Sequence, residues 1–117
     1  MTKKLCVLIV EDNPIVSLDL EEVVETQGHR VVATCASSAE ARCNLDQHLD
    51  FALLDVDVVD GTTYGLASEL QDRGVPFAFI TASLLRDLPS PLRPVGFVSK
   101  PYSEAGIASL LRDTVAA

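Results

Sequence analysis

Short apolar runs alternate along the chain with segments whose apolar residues recur every three or four positions. The first run, Leu5-Cys6-Val7-Leu8-Ile9-Val10, is continuous, which predicts a strand covered on both faces. Asn13-Pro14 then supplies an N-cap and a first helical position. Val16, Leu20, Val23 and Val24 repeat at helical spacing, and Gly28 closes that helix. Val31-Val32-Ala33-Thr34-Cys35 is a second strand. Ser37 with Glu40 makes a capping box for a second helix, with Ala41, Leu45 and Leu49 as its buried stripe. Phe51-Ala52-Leu53-Leu54-Asp55 is a third strand. A loop through Gly61 leads to a helix over residues 64–73, ended by Gly74. Pro76-Phe77-Ala78-Phe79-Ile80 is a fourth strand, with proline at its start where it is tolerated. Residues 84–88 have room for little more than one helical turn, because Pro89, Pro91 and Pro94 prevent a longer one. Val95-Gly96-Phe97-Val98-Ser99 is a short fifth strand. Ser103 caps a last helix with a stripe of Ile107, Leu110 and Leu111.

Five strand–helix repeats of this kind predict one α/β domain over residues 1–117: a doubly wound parallel sheet with helices on both faces and a rudimentary fourth helix. For a flavodoxin-like five-stranded order, 2-1-3-4-5, the ligand crevice lies at the carboxyl ends of strands one and three.

Charge narrows the function. The 117 residues carry a net charge of −8 and a pI near 4.5, with lysine and arginine scattered. That excludes the basic face of a nucleic-acid or anionic-membrane binder. It also raises the question of where the carboxylates gather, since together they attract cations. Cys6, Cys35 and Cys43 are odd in number and lack a metal-type motif, so they read as reduced thiols, with Cys6 buried in its apolar run. The first apolar run is cut off by Glu11-Asp12, too soon for a signal peptide or a membrane span. A soluble cytoplasmic protein is expected. His29 and His48 read as surface polar residues.

The ends of the predicted strands carry the chemistry. Strand one ends in Glu11-Asp12, strand three in Asp55, strand four in Thr81 and strand five in Lys100. Taken singly, each has an ordinary role: a helix cap, a strand-end aspartate, a turn threonine, a surface lysine. Their joint placement, each after the correct strand, points to one site. Three adjacent carboxylates raise one another's pKa, and a divalent cation relieves the repulsion. Mg²⁺ prefers oxygen ligands and suits one or two carboxylates with a phosphoryl oxygen. An aspartate can attack a phosphoryl group and form an acyl phosphate. Lys100 can neutralise a phosphoryl oxygen, and Thr81 can donate a hydrogen bond to another.

With these residues in place, the whole chain resembles the receiver domains of two-component response regulators. The matching pieces are Val10-Glu11-Asp12-Asn13, Leu53-Leu54-Asp55-Val56, Ile80-Thr81-Ala82 and Ser99-Lys100-Pro101-Tyr102. The resemblance implies that Asp55 is the phosphoacceptor, with Glu11 and Asp12 placing Mg²⁺ and the Asp57 backbone carbonyl as a further ligand. It makes Thr81 the switch hydroxyl, Lys100 the phosphate-binding lysine, Phe97 the switch aromatic and Lys100-Pro101 a cis peptide. It implies a histidine kinase or phosphotransfer protein as donor and a downstream protein target. The family's usual partner and homodimer face is built from the fourth helix, fifth strand and fifth helix, and the reduced fourth helix here departs from it. The chain departs from the common pattern in lacking a proline soon after the acceptor and in carrying Asp57, a fourth carboxylate for the pocket, where many members have asparagine. The short loops are most similar to small stand-alone receivers partnered with kinases of the HWE and HisKA2 type.

The expected function is therefore that of a single-domain response regulator, not an enzyme beyond its own phosphorylation and dephosphorylation. It would act as effector, shuttle or sink, since no output domain comes after residue 117. Two alternatives stand beside it. One is a degenerate receiver that binds its partner without phosphorylation. The other is a small Mg²⁺-dependent phosphatase, suggested by Asp55-Val56-Asp57, although that motif comes after the third strand here. A dinucleotide site is excluded, because strand one leads into no glycine-rich loop.

Overall fold

The computed structural model describes residues 4–82, 88–89 and 91–116. Five parallel strands form one sheet: β1 (Cys6–Val10), β2 (Arg30–Cys35), β3 (Phe51–Asp55), β6 (Phe77–Thr81) and β7 (Gly96–Ser99), in the order β2-β1-β3-β6-β7. In strand-repeat terms this is the predicted 2-1-3-4-5. The helices are α1 (Pro14–Thr26), α2 (Ser38–Arg42), α3 (Tyr64–Asp72) and α4 (Glu104–Ala116). A two-stranded hairpin, β4 (Asp57–Val58) and β5 (Gly61–Thr62), stands between β3 and α3.

The strands alternate their side chains between two apolar clusters, which is why their sequences read as unbroken apolar runs. Val7, Ile9, Phe51, Leu53, Ala78 and Ile80 face α1 and α4, where Leu20, Val24, Ile107 and Leu111 close over them. Leu8, Val10, Ala52, Leu54, Phe77 and Phe79 face α2 and α3, where Ala41, Leu66 and Leu70 do the same. α1 begins as predicted: the Asn13 carboxamide oxygen accepts the Ile15 and Val16 N–H groups. Gly28 and Gly74, at φ of 86° and 73°, take the left-handed conformation that ends α1 and α3.

The second helix differs from expectation. Ser37 caps it by accepting the Glu40 N–H, but it stops at Arg42 instead of running on to Leu49. The backbone tightens to three-residue turns, Cys43 to Glu40, Asn44 to Ala41 and Leu45 to Arg42, and the Asn44 side chain donates to the Glu40 carbonyl. A polar side chain competing for the helical carbonyls ends the ladder. Leu45 and Leu49 are buried all the same. The expected turn over residues 84–88 lies, apart from residue 88, outside the described residues.

The segment after Asp55, expected as a loop, is the β4–β5 hairpin. Its Asp60 reaches across to α2, where Oδ1 accepts the Ser38 N–H at 3.0 Å and Oδ2 accepts the Ala39 N–H at 3.1 Å. These two donors hold the Asp60 carboxyl below its ordinary pKa. Cys35 is buried, Cys43 exposed and Cys6 only partly buried, and all three are free thiols. Burial pushes the Cys35 thiol up to about 11.

His29 is not a surface residue. It is 6% exposed, and its Nδ1 accepts the Leu5 N–H at 3.0 Å. It thereby satisfies a buried donor at the entry to β1, while its own backbone ties to the end of α1. Burial lowers the His29 pKa from 6.5. The folded chain therefore binds this proton less readily than the unfolded chain. The contribution is complete above 6.5 and is lost as pH falls from there through the lowered folded-state pKa. Replacing His29 by Leu orphans the Leu5 N–H. It is expected to cost about 1–3 kcal/mol in urea denaturation at pH 7.5, and to remove part of the stability that the native chain loses as pH falls below 6.5.

Candidate functional site

The carboxyl ends of the central strands bring the predicted residues together. β1 delivers Glu11, β3 ends in Asp55, β6 in Thr81, and Lys100 comes directly after β7. Glu11, Asp55 and Thr81 are buried, whereas Asp12 is exposed at the rim. The Lys100 ammonium donates to Glu11 Oε1 at 2.9 Å and to Asp55 Oδ2 at 3.1 Å. Residues 89 and 45 positions apart in sequence from this lysine thus share one cation.

The backbone holds each of them. The Glu11 N–H donates to the Cys35 carbonyl, and Glu11 Oε2 accepts the Asn13 N–H at 3.1 Å. The Lys100 N–H donates to the Thr81 carbonyl at 2.8 Å, joining the ends of β6 and β7. The Lys100-Pro101 peptide is cis, as the resemblance implies. Thr63, which no sequence pattern singles out, is fully buried and donates from Oγ1 to the Asp55 carbonyl at 2.8 Å. Its N–H donates to the Val56 carbonyl at 2.9 Å. Thr63 thereby clamps both ends of the Asp55–Val56 step against the start of α3. A spacing of eight residues is all that links it to Asp55 along the chain, and no recognisable motif carries that spacing.

The charges do not balance around a single ammonium. Burial, with the hydrogen bond and negative charge of Glu11, outweighs Lys100 and raises the Asp55 pKa from 3.8 to about 6. Burial also opposes ionisation of Glu11, but Lys100, the Asn13 N–H and Asp55 outweigh it and hold that carboxyl below its ordinary value. Burial likewise opposes the charge on Lys100, yet the two carboxylates hold its pKa above normal. Glu11 and Lys100 are the committed ion pair, and Asp55 is the group left short of positive charge.

Oxygen atoms of Glu11, Asp12 and Asp55 lie within 4.8 Å of one another. Three hard carboxylate donors, one of them at the solvent rim, fit a cation that prefers oxygen and keeps several waters, as Mg²⁺ does. Asp57 opens β4 two residues after Asp55 with its side chain exposed. Its carboxylate does not join the trio, so the expected fourth carboxylate is absent from the cluster; the hairpin pairing to Thr62 turns that residue outward.

Phe97 stacks on its register partner Phe79, with ring centroids 6.1 Å apart at 27°, and is 51% exposed. Phe79 in turn meets Tyr64 edge-on at 5.7 Å. An aromatic row therefore runs from the edge strand to α3, beneath the Thr81 end of β6.

The imbalance at Asp55 has a measurable sign. Because its folded pKa lies near 6 rather than 3.8, the metal-free folded chain keeps a proton that the unfolded chain releases in that window. Stability from this group is present below the unfolded value and is lost as pH rises through about 6. Asp55→Asn is expected to raise the thermal midpoint of the metal-free protein at about pH 7 and to flatten its dependence on pH between those values. A lower midpoint in the variant would contradict the charge assignment.

No protein-family model matches the chain. The Phyllosphere-induced regulator PhyR of Methylorubrum extorquens is 31% identical over 111 residues, which cover 90% of this chain and 41% of that protein. The chain thus spans less than half the length of this curated relative. The solution structure of the PhyR response regulator REC domain from Erythrobacter litoralis has a TM-score of 0.84 at 28% identity, covering 97% of this chain and 91% of that one. The receiver domain of the sensor histidine kinase PA1611 from Pseudomonas aeruginosa, described with a magnesium ion coordinated in its active-site cleft, shares the fold at a TM-score of 0.84. It is 24% identical and covers 98% of this chain and all of that one. With the strand order, the three carboxylates and the bridging lysine, these likenesses make the chain a member of the receiver domains of response regulators.

Proposed function

We propose that Asp55 accepts a phosphoryl group from a histidine kinase or a histidine phosphotransfer protein, and that the chain works as a phosphorylation switch. One observation carries this reading: Asp55 is the buried carboxylate that Lys100 reaches but does not fully neutralise. An Asp55 oxygen attacks phosphorus, the phosphorus–nitrogen bond of the donor breaks, and the electron pair of that bond returns to the imidazole. Clamped by Thr63 at its carbonyl, Asp55 presents its carboxylate from a fixed backbone. Lys100 can turn from Asp55 Oδ2 to a phosphoryl oxygen while Glu11 holds it in place. Glu11, Asp12 and Asp55, with the Asp57 carbonyl as a further ligand, would hold Mg²⁺, which would neutralise charge on the transferring group. The magnesium described in the PA1611 receiver supports the choice of ion.

The partner side is consistent with a protein donor. Ile15 and Leu18, on the first turns of α1 beside Asp12, are 74% and 64% exposed. Such an apolar face next to an acidic mouth suits docking of another protein rather than capture of a small metabolite. Thr81 and Phe97 form the switch in this reading. Thr81 turns toward the phosphoryl group, and Phe97 moves in from its exposed stack on Phe79, changing the face that a downstream protein recognises. The chain catalyses its own phosphorylation and hydrolysis and turns over no other substrate. Cytoplasmic placement belongs to the same reading; among the described residues no helix is long and apolar enough to cross a membrane.

The test is incubation with a small acyl or amido phosphodonor, with and without Mg²⁺, then intact mass. A single phosphoryl adduct is expected in Mg²⁺, reduced at least about tenfold in rate by Asp12→Asn and absent in Asp55→Asn. An adduct of equal yield in Asp55→Asn would move the acceptor elsewhere. No adduct from either a small donor or a phosphorylated kinase would leave the fold as a phosphorylation-independent binding module.

A further inference from the structure

At the opposite pole of the sheet the fold gathers a second set of metal-competent side chains. Cys6 opens β1, Asp50 immediately precedes β3, and His48 lies two residues earlier in the turn after α2. One ligand atom from each, a thiol sulfur, an imidazole nitrogen and a carboxylate oxygen, lies within 4.8 Å of the other two. The phosphoacceptor site sits at the carboxyl ends of these same strands. Strands of five residues, each residue rising about 3.3 Å, keep the two groups well apart.

Backbone bonds preset two of the three. The Asp50 N–H donates to the Cys6 carbonyl at 2.8 Å, and the Cys6 N–H donates to Asp50 Oδ2 at 2.8 Å. This reciprocal pair fixes the Asp50 carboxylate, whose Oδ1 lies 3.0 Å from His48 Nε2. A backbone donor holding one carboxylate oxygen is the kind of support that metal-ligating carboxylates receive from their surroundings. The His48 side chain is 77% exposed, so its ring has room to adjust. A tetrahedral ion with sulfur at about 2.3 Å and nitrogen and oxygen at about 2.0–2.2 Å needs its ligands roughly 3.4–3.6 Å apart. The nitrogen–oxygen distance of 3.0 Å and the 4.8 Å limit on the trio bracket that range.

The donor set selects the ion. A thiolate, an imidazole and a carboxylate suit a borderline-soft cation of the zinc type, whereas the all-oxygen trio at the other pole suits Mg²⁺. We propose that Cys6, His48 and Asp50 form a second metal site, for a zinc-class divalent ion with water in the fourth position. On binding, the Cys6 thiol gives its proton to solvent and its sulfur bonds the metal; no electrons change hands. The ion would fasten the turn after α2 to the starts of β1 and β3, where the chain fails to continue as helix.

Cobalt(II) is the probe, titrated into the whole chain with excess Mg²⁺ present and read by thiolate-to-cobalt charge-transfer absorption, with Zn²⁺ added last. One equivalent is expected to give the band and Zn²⁺ to bleach it. Cys6→Ser should abolish the band, and His48→Gln and Asp50→Asn should each weaken binding by at least about tenfold. Asp55→Asn and Cys43→Ser should leave it unchanged. No thiolate band in the native chain, a band that survives Cys6→Ser, or an affinity unchanged by His48→Gln would overturn the proposal. Should Cys6→Ser fold poorly, His48→Gln, a change on an exposed side chain, decides.

Discussion

A single ammonium holds the carboxyl pole of the sheet together. Lys100, arriving last in the chain order, bridges a carboxylate after β1 and one at the end of β3, and its backbone ties to the end of β6. Two buried carboxylates around one partly buried cation are costly to assemble in a small domain, because burial penalises every charge. The arrangement keeps Glu11 ionised and leaves Asp55 with a raised pKa. A group in that condition gains most from any further positive charge, such as that of a metal ion. The geometry is therefore less a stabilising salt bridge than a site kept short of cations.

The rest of the fold keeps that site stiff. The central strands β1, β3 and β6 are buried on both faces, so their ends have little freedom. Thr63 binds the Asp55 carbonyl, and the hairpin between them sends Asp60 to cap α2. Asp55, the hairpin and α2 are thus one connected unit. The aromatic row from Tyr64 through Phe79 to Phe97 supplies the opposite property, since it ends on an exposed edge strand where a ring can move. A rigid Asp55 beside a half-exposed aromatic is the combination that the proposed two-state switch requires.

Much of this was legible in the sequence. Unbroken apolar runs mark the parallel strands, Asn13 and Ser37 the helix starts, and Gly28 and Gly74 the stops. Once the strands are placed, Glu11, Asp12, Asp55, Thr81 and Lys100 have to meet, because topology brings every strand end to one pole. The remainder depends on contacts between distant segments. His29 is buried because Leu5 needs an acceptor at the start of β1, and no local pattern marks that need. α2 stops at Arg42 because Asn44 competes for its carbonyls, although Leu45 and Leu49 keep helical spacing. The two-residue strands of the hairpin are too short to show a period, and Thr63 and Asp60 act through it.

The central claim is that the phosphoryl group resides on Asp55 and nowhere else. Borohydride reduction of the phosphorylated protein converts an aspartyl phosphate to homoserine, and peptide mapping then locates it. Homoserine at position 55 alone is the predicted result. Homoserine at Asp57 or Asp12, or a phosphoryl group retained on His29 or His48, would contradict the account.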